Sequence, residues 1–151
     1  MKNIIYFMGL LALLLVASCD QESENRLLTQ PEDILNVTGK WEMAAYNDTA
    51  MVFGPFNVLT VKNPLTGSDS ITIQDCETKF WEFQVKAALN EAAGTFQTKL
   101  SASETSKEGI GVIISNGRIT SEDSIFFHIQ FEDDVTPFGI TYQLKGRRIN
   151  L

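Results

Sequence analysis

The sequence predicts an all-β domain, an antiparallel up-and-down β-barrel of about eight strands. Three observations predict it. From Thr38 onward, apolar and polar residues alternate with period two, and no helical period lasts beyond a few residues. The alternating runs are short and are separated by Gly, Asn, Asp and Pro. Short antiparallel strands joined in this way form a meander, and a meander hides its edges best by closing on itself. A chain of 151 residues, 44% hydrophobic and 21% charged, suits one globular domain and is too apolar for disorder.

Ahead of the barrel, Lys2 precedes an uncharged run from Ile4 to Val16. A spanning helix needs roughly 20 apolar residues, so this run reads as the core of a signal peptide over 1–18. It ends in Val16-Ala17-Ser18-Cys19, which resembles the lipobox of bacterial lipoproteins. The resemblance implies cleavage before Cys19 and acylation of its nucleophilic thiol. Each buried acyl CH₂ strengthens membrane attachment by about 0.8 kcal/mol. The expected partner is therefore a membrane, reached through acylated Cys19, with the chain anchored and not spanning.

Asp20 to Gln30 is polar and acidic and reads as a tether. Acids directly after the lipidated Cys resemble the export signal of surface-displayed lipoproteins in Bacteroidetes-type bacteria. In enteric bacteria Asp20 would instead imply inner-membrane retention. The expected location is the cell envelope, at the outer membrane, with surface display as the reading the acids add. Pro31 to Leu35 fits one helical turn, with Pro first and acids at the positive end of the dipole. The domain reading is signal peptide 1–18, lipidated Cys and tether 19–37, and barrel 38–151.

In the first strand Trp41, Met43 and Ala45 alternate with Lys40, Glu42 and Ala44. Leu59 and Val61 then alternate with Val58, Thr60 and Lys62, and Ile71 and Ile73 follow the turn-rich stretch from Asn63 to Ser68. Trp81, Phe83, Val85, Ala87 and Leu89 face away from Glu82, Gln84 and Lys86, and Phe96, Thr98 and Leu100 come after Gly94. Val112 to Ser115 and Ile119 flank Asn116-Gly117, a strong hairpin signal, so two strands are expected there. Ile125, Phe127, Ile129 and Phe131 oppose Phe126, His128, Gln130 and Glu132, and Tyr142 and Leu144 alternate with Thr141, Gln143 and Lys145. Nine segments result, or eight if one short pair is a local ribbon. Cys76 is left without a partner, and burial is the expected state of a lone thiol in an oxidising compartment.

Gly39-Lys40-Trp41 opening the first strand, with Arg147-Arg148 closing the last, resembles the calycin pattern. There, a G-x-W sets an indole at the closed end of a lipocalin-like barrel and a late Arg covers it. The resemblance implies Gly39, Trp41 and Arg148 as closure residues. Arg148 is preferred because Tyr142, Leu144, Gly146 and Arg148 share a face, and a guanidinium over an indole contributes about 0.5–2 kcal/mol. Phe80 to Lys86, Asp123-Ser124-Ile125 and Tyr142 to Arg148 resemble a Bacteroidetes-type lipoprotein family described as lipid-binding putative hydrolases. That resemblance covers about Val37 to Arg148 and implies a calycin-like barrel. The T-D-Y motif of lipocalins is absent, so the likeness to them stops at the fold.

A net charge of -7 argues against nucleic acid. With one His and two Cys, no metal or cofactor is expected. His128 falls on the polar face of its strand, in solvent, and no G-x-S-x-G elbow is present. Glu132-Asp133-Asp134 lacks the ligand spacing of a calcium loop and reads as a solvated turn. Trp41, Trp81, Phe83, Phe96, Phe127, Phe131 and Tyr142 all point one way. They would line an apolar pocket or pack as an ordinary core. Trp81, Phe83, Phe127 and Tyr142 are the candidate ligand contacts. The expected function is binding of a lipid or other small apolar molecule without catalysis. The alternative is an envelope hydrolase using carboxylates among the nineteen acids.

Overall fold

The computed structural model of the chain describes residues 36–63, 69–103 and 109–149. The signal segment, Cys19, the acidic tether and the turn at 31–35 lie outside the described residues. What is described is all β, with nine strands: β1 (Gly39–Asn47), β2 (Ala50–Lys62), β3 (Ser70–Asp75), β4 (Gln84–Asn90), β5 (Thr95–Gln97), β6 (Ser101–Ala102), β7 (Gly111–Ser121), β8 (Ser124–Phe131) and β9 (Tyr142–Arg148). All pairings are antiparallel, and β9 returns to pair with β1. Both β5 and β6 lie against β7, one at Arg118 and the other at Val112, so together they occupy a single position in the sheet. The β5–β7 pairing closes the sheet into an eight-stranded barrel of calycin-like form.

The meander sends the β1–β2, β3–β4, β6–β7 and β8–β9 connections to one end, the mouth. The incoming chain at Asn36 and the β2–β3, β4–β5 and β7–β8 connections mark the other end. Because side chains alternate across a strand, every second residue enters the core. Trp41, Met43 and Ala45 on β1 are buried, as are Ile71 and Ile73 on β3, Val85, Ala87 and Leu89 on β4, and Ile125 to Phe131 at every second position on β8.

Four local expectations are corrected. On β2 the inward set is Phe56, Val58 and Thr60, while Val61 is exposed and Leu59 half-buried. The polar Thr60 goes inside because its hydroxyl has two buried partners there. Asn116-Gly117 does not turn the chain but sits within β7 as an irregularity between Ser115 and Arg118. Asn116 takes φ 54°, and the left-handed backbone that favours Asn in a tight turn serves a bulge equally well. Gly117 is required by packing, since a Cβ there would run into the Phe96 ring and carbonyl. The hairpin turn is Glu122-Asp123, between the paired residues Ser121 and Ser124.

Trp81 precedes β4 and is not part of it. Its backbone N–H is taken by the Asp75 side chain and not by a neighbouring strand. Cys76 is half-buried, not fully buried; partial burial nonetheless pushes its thiol pKa up, with Lys40 pulling the other way.

Candidate functional site

The two barrel ends are built differently. At the closed end the Trp41 indole is fully buried and its N–H donates to Thr60 Oγ1 at 2.9 Å. The Thr60 hydroxyl in turn donates to the Val37 carbonyl at 2.5 Å. Arg148 covers the indole, its guanidinium carbon 4.1 Å from the ring centroid. Its nitrogens donate to the carbonyls of Glu122, Thr38 and Asn36 at 2.8, 2.5 and 2.5 Å. Gly39, at φ 151°, lies directly beneath, and a Cβ there would strike the Arg148 guanidinium. This end is a sealed, satisfied plug.

The mouth is aromatic. Asp75 ends β3 with a buried carboxylate that accepts the backbone N–H groups of Phe80 at 2.7 Å, Trp81 at 3.3 Å and Glu77 at 3.2 Å. Three donors on one carboxylate curl residues 76–81 into a fixed loop, which lays Phe80 and Trp81 over the barrel. Phe80 stands at the centre of the rings, 5.7 Å from Phe53, 5.1 Å from Phe56, 6.0 Å from Phe131 and 5.3 Å from Tyr142. Trp81 stacks on Phe131 at 4.3 Å and 3°. Such offset and edge contacts each contribute about 0.5–1.5 kcal/mol beyond area burial.

The polar tips of these rings are held by the β8–β9 loop. Trp81 Nε1 donates to Asp133 at 2.8 Å and the Tyr142 hydroxyl to Asp134 at 3.0 Å. Glu132 accepts the Gly111 N–H at 2.9 Å. The Glu132-Asp133-Asp134 run is the expected turn, with Glu132 and Asp133 exposed, and its carboxylates also serve as specific acceptors. Burial, the hydrogen bond to Asp134 and that residue's charge together push the Tyr142 phenol up to about 12. At neutral pH it is a neutral donor.

Of the candidate ligand contacts, Trp81, Phe83 and Tyr142 gather around Phe131, with Phe83 fully buried 5.7 Å beneath it. Phe127 is not brought there; it is fully buried and packs on Phe96 at 5.7 Å. The rings expected to line a pocket therefore rest on one another. His128 lies on the outer face, half-buried, with its Nδ1 3.1 Å from the Asn116 side-chain nitrogen. A separate groove of about 470 Å³ lies outside the barrel between the β4–β5 turn and the β7 bulge, and is lined by residues including Asn90, Gln97, Asn116 and Arg118.

Sequence reasoning missed Phe53, Phe56 and Phe80. Met51 to Phe56 is an apolar run, but Gly54 and Pro55 disguise it as a turn. Phe80 lies outside the period-two pattern because a side chain, not a strand, fixes its backbone.

A family model described as Lipid-binding putative hydrolase matches residues 30–149. The chain belongs to this family. No curated protein matches the chain. As a member of the Lipid-binding putative hydrolase family, it joins a lipid-binding description to a closed barrel with one plugged end and one aromatic mouth.

Proposed function

We propose that this protein is an envelope-anchored lipoprotein whose barrel mouth binds a lipid or other small apolar molecule without turning it over. The aromatic mouth carries the reading. Phe80, Trp81 and Tyr142 form a half-buried shelf, with the exposed Phe53 at its edge, on which an acyl chain can lie, while Asp133 and Asp134 sit where a head group bearing donors would come to rest. The family's lipid-binding description supports the same class of ligand. Anchoring rests on Val16-Ala17-Ser18-Cys19, and outer-membrane placement with surface display on the acids that follow.

Titrating the full chain with a fluorescent fatty acid tests the binding. Trp81→Ala and Tyr142→Ala are expected to weaken it about tenfold while the fold persists, whereas Phe127→Ala acts through stability alone. Equal affinity in all three variants would remove the mouth as the site. Mass spectrometry of membrane-extracted protein should find Cys19 as the acylated N-terminus, and Cys19→Ser should free the chain from membranes.

Because the only His lies on the outer face, ester turnover that disappears in His128→Ala would overturn the non-catalytic reading. The family's description also names hydrolysis, and a hydrolytic reading would draw on mouth carboxylates, among which Asp133 and Asp134 hold the ring tips. Turnover abolished by Asp133→Asn or Asp134→Asn would establish that second reading instead.

A further inference from the structure

We propose that the mouth docks onto a zwitterionic phospholipid bilayer, its rim side chains entering the interface so that lipid reaches the aromatic shelf without crossing water. The proposal rests on the lipid-binding reading above and adds where the ligand is collected. Six large apolar side chains are exposed among the described residues: Met51 60%, Val52 48%, Phe53 38%, Val61 46%, Leu100 61% and Val135 97%. Met51, Val52 and Phe53 open β2 beside the β1–β2 turn, and Val135 sits on the β8–β9 loop. Leu100 lies on the β5–β6 link, near the mouth end of β7. Only Val61 belongs elsewhere.

Two of these positions are joined through the site. Phe53 touches Phe80, Phe80 touches Tyr142, and the Tyr142 hydroxyl is held by Asp134, whose other oxygen accepts the Val135 N–H at 2.7 Å. Phe53 and Val135 are therefore linked across the shelf.

The form of the surface favours a bilayer over a protein partner. Its apolar groups come from separate connections, as side chains that can enter an interface one by one. A protein partner would need one continuous apolar face. Trp81 and Tyr142, aromatic with hydrogen-bonding tips, stand just inside the rim, the residue types that settle at the head-group level of a membrane. Charge narrows the choice of lipid. Asp48, Glu77, Glu132, Asp133 and Asp134 lie at this end against two described lysines, Lys99 beside Leu100 and Lys79, which is paired with Glu77 at 2.5 Å. An acidic rim is repelled by an anionic bilayer and tolerated by a zwitterionic one.

The chain ahead of the barrel permits this orientation. Asn36 enters at the closed end, beneath Arg148. Sixteen residues separate it from Cys19 and span at most about 55 Å, roughly twice the 27 Å or so of an eight-residue strand such as β8. An anchored chain has the reach to turn its mouth to the membrane that holds it.

The test uses the full chain with Cys19→Ser and Cys76→Ala, so that a polarity-sensitive fluorophore labels Val135→Cys alone, in phosphatidylcholine vesicles. A control carries the same fluorophore on Ala92→Cys, exposed in the β4–β5 turn at the other end. A blue shift with a several-fold gain in emission is expected at 135 and not at 92. It should fall with Met51→Asp and with phosphatidylglycerol in the vesicles. Equal response at both positions, or a response at 135 that follows protein concentration without lipid, overturns docking; the latter would mark a contact between copies. Fatty-acid binding measured on the same samples separates the readings: retained binding with no shift at 135 ends the docking proposal alone, and loss of binding ends the site itself.

Discussion

Arg148 and Trp41 face each other directly across the β9–β1 pairing, the guanidinium carbon 4.1 Å from the indole centroid. The same guanidinium reaches the carbonyls of Asn36, Thr38 and Glu122, so one side chain ties the first strand, the last strand and the β7–β8 turn together. Trp41→Ala is expected to cost about 3–5 kcal/mol as a buried aromatic truncation. Arg148→Ala should also destabilise, and a double-mutant cycle by chemical denaturation should show coupling of about 0.5–2 kcal/mol. Additive effects would dissolve the pair. Arg148→Lys should rescue little, because an ammonium lacks the planar fork that meets three carbonyls.

Thr60 is the polar residue that the Trp41 plug depends on. Replacing it by the near-isosteric Val leaves the indole N–H and the Val37 carbonyl without their partner in the core. An unsatisfied buried group costs about 1–3 kcal/mol, so Thr60→Val is expected to lower stability by roughly 2 kcal/mol. A neutral result in urea unfolding would mean that the hydroxyl is not what these groups rely on.

Asp75 builds the mouth from below. Asp75→Ala removes the acceptor of three backbone N–H groups, and charge-assisted bonds of this kind contribute about 1.5–3 kcal/mol. The loop carrying Phe80 and Trp81 should loosen more than the barrel does. A red shift of Trp81 emission and weaker fatty-acid binding are therefore expected under conditions where circular dichroism still reports the native sheet. Unchanged binding would detach the loop from the site.

Tyr142 gives the molecule a pH signature. Its folded-state pKa of about 12 lies above the ordinary tyrosine value of 10.0, through burial first and Asp134 second. A raised pKa means that the fold favours the protonated phenol. That contribution is fully present below pH 10 and is lost as pH rises towards 12. Tyr142→Phe should flatten the alkaline fall in stability through this window, and tyrosinate absorbance should show one late-titrating group in the wild type. An identical alkaline profile in the variant would count against the hydroxyl–Asp134 contact.

The barrel was readable where burial alone dictates side-chain direction. Trp41, Met43 and Ala45, or Ile125 to Phe131, alternate because one face of each strand meets the core, and that period is written in the residues themselves. The closed end was readable through the calycin resemblance that Gly39, Trp41 and Arg148 carry, and the β1–β9 pairing bears it out. The mouth was not. Phe53 comes from β2, Phe80 and Trp81 from the β3–β4 loop, and Tyr142 from β9, and their meeting depends on barrel closure and on Asp75. Asn116-Gly117 misled for a related reason: a left-handed Asn serves a turn or a bulge, and the choice belongs to the strands on either side.

Local pattern by itself determined the all-β class and the inward face of most strands, while the indole-and-guanidinium plug was implied by the calycin resemblance. The first two follow from side-chain alternation. Only the tertiary structure decided that Thr60 points inward, that Phe127 is core while Phe80 crowns the mouth, and that Asp133 and Asp134 hold ring tips. Each of those outcomes turns on a hydrogen-bond partner or ring neighbour distant in the chain. A polar atom's place is set by where its partner stands, and that is a property of the closed barrel and not of any one strand.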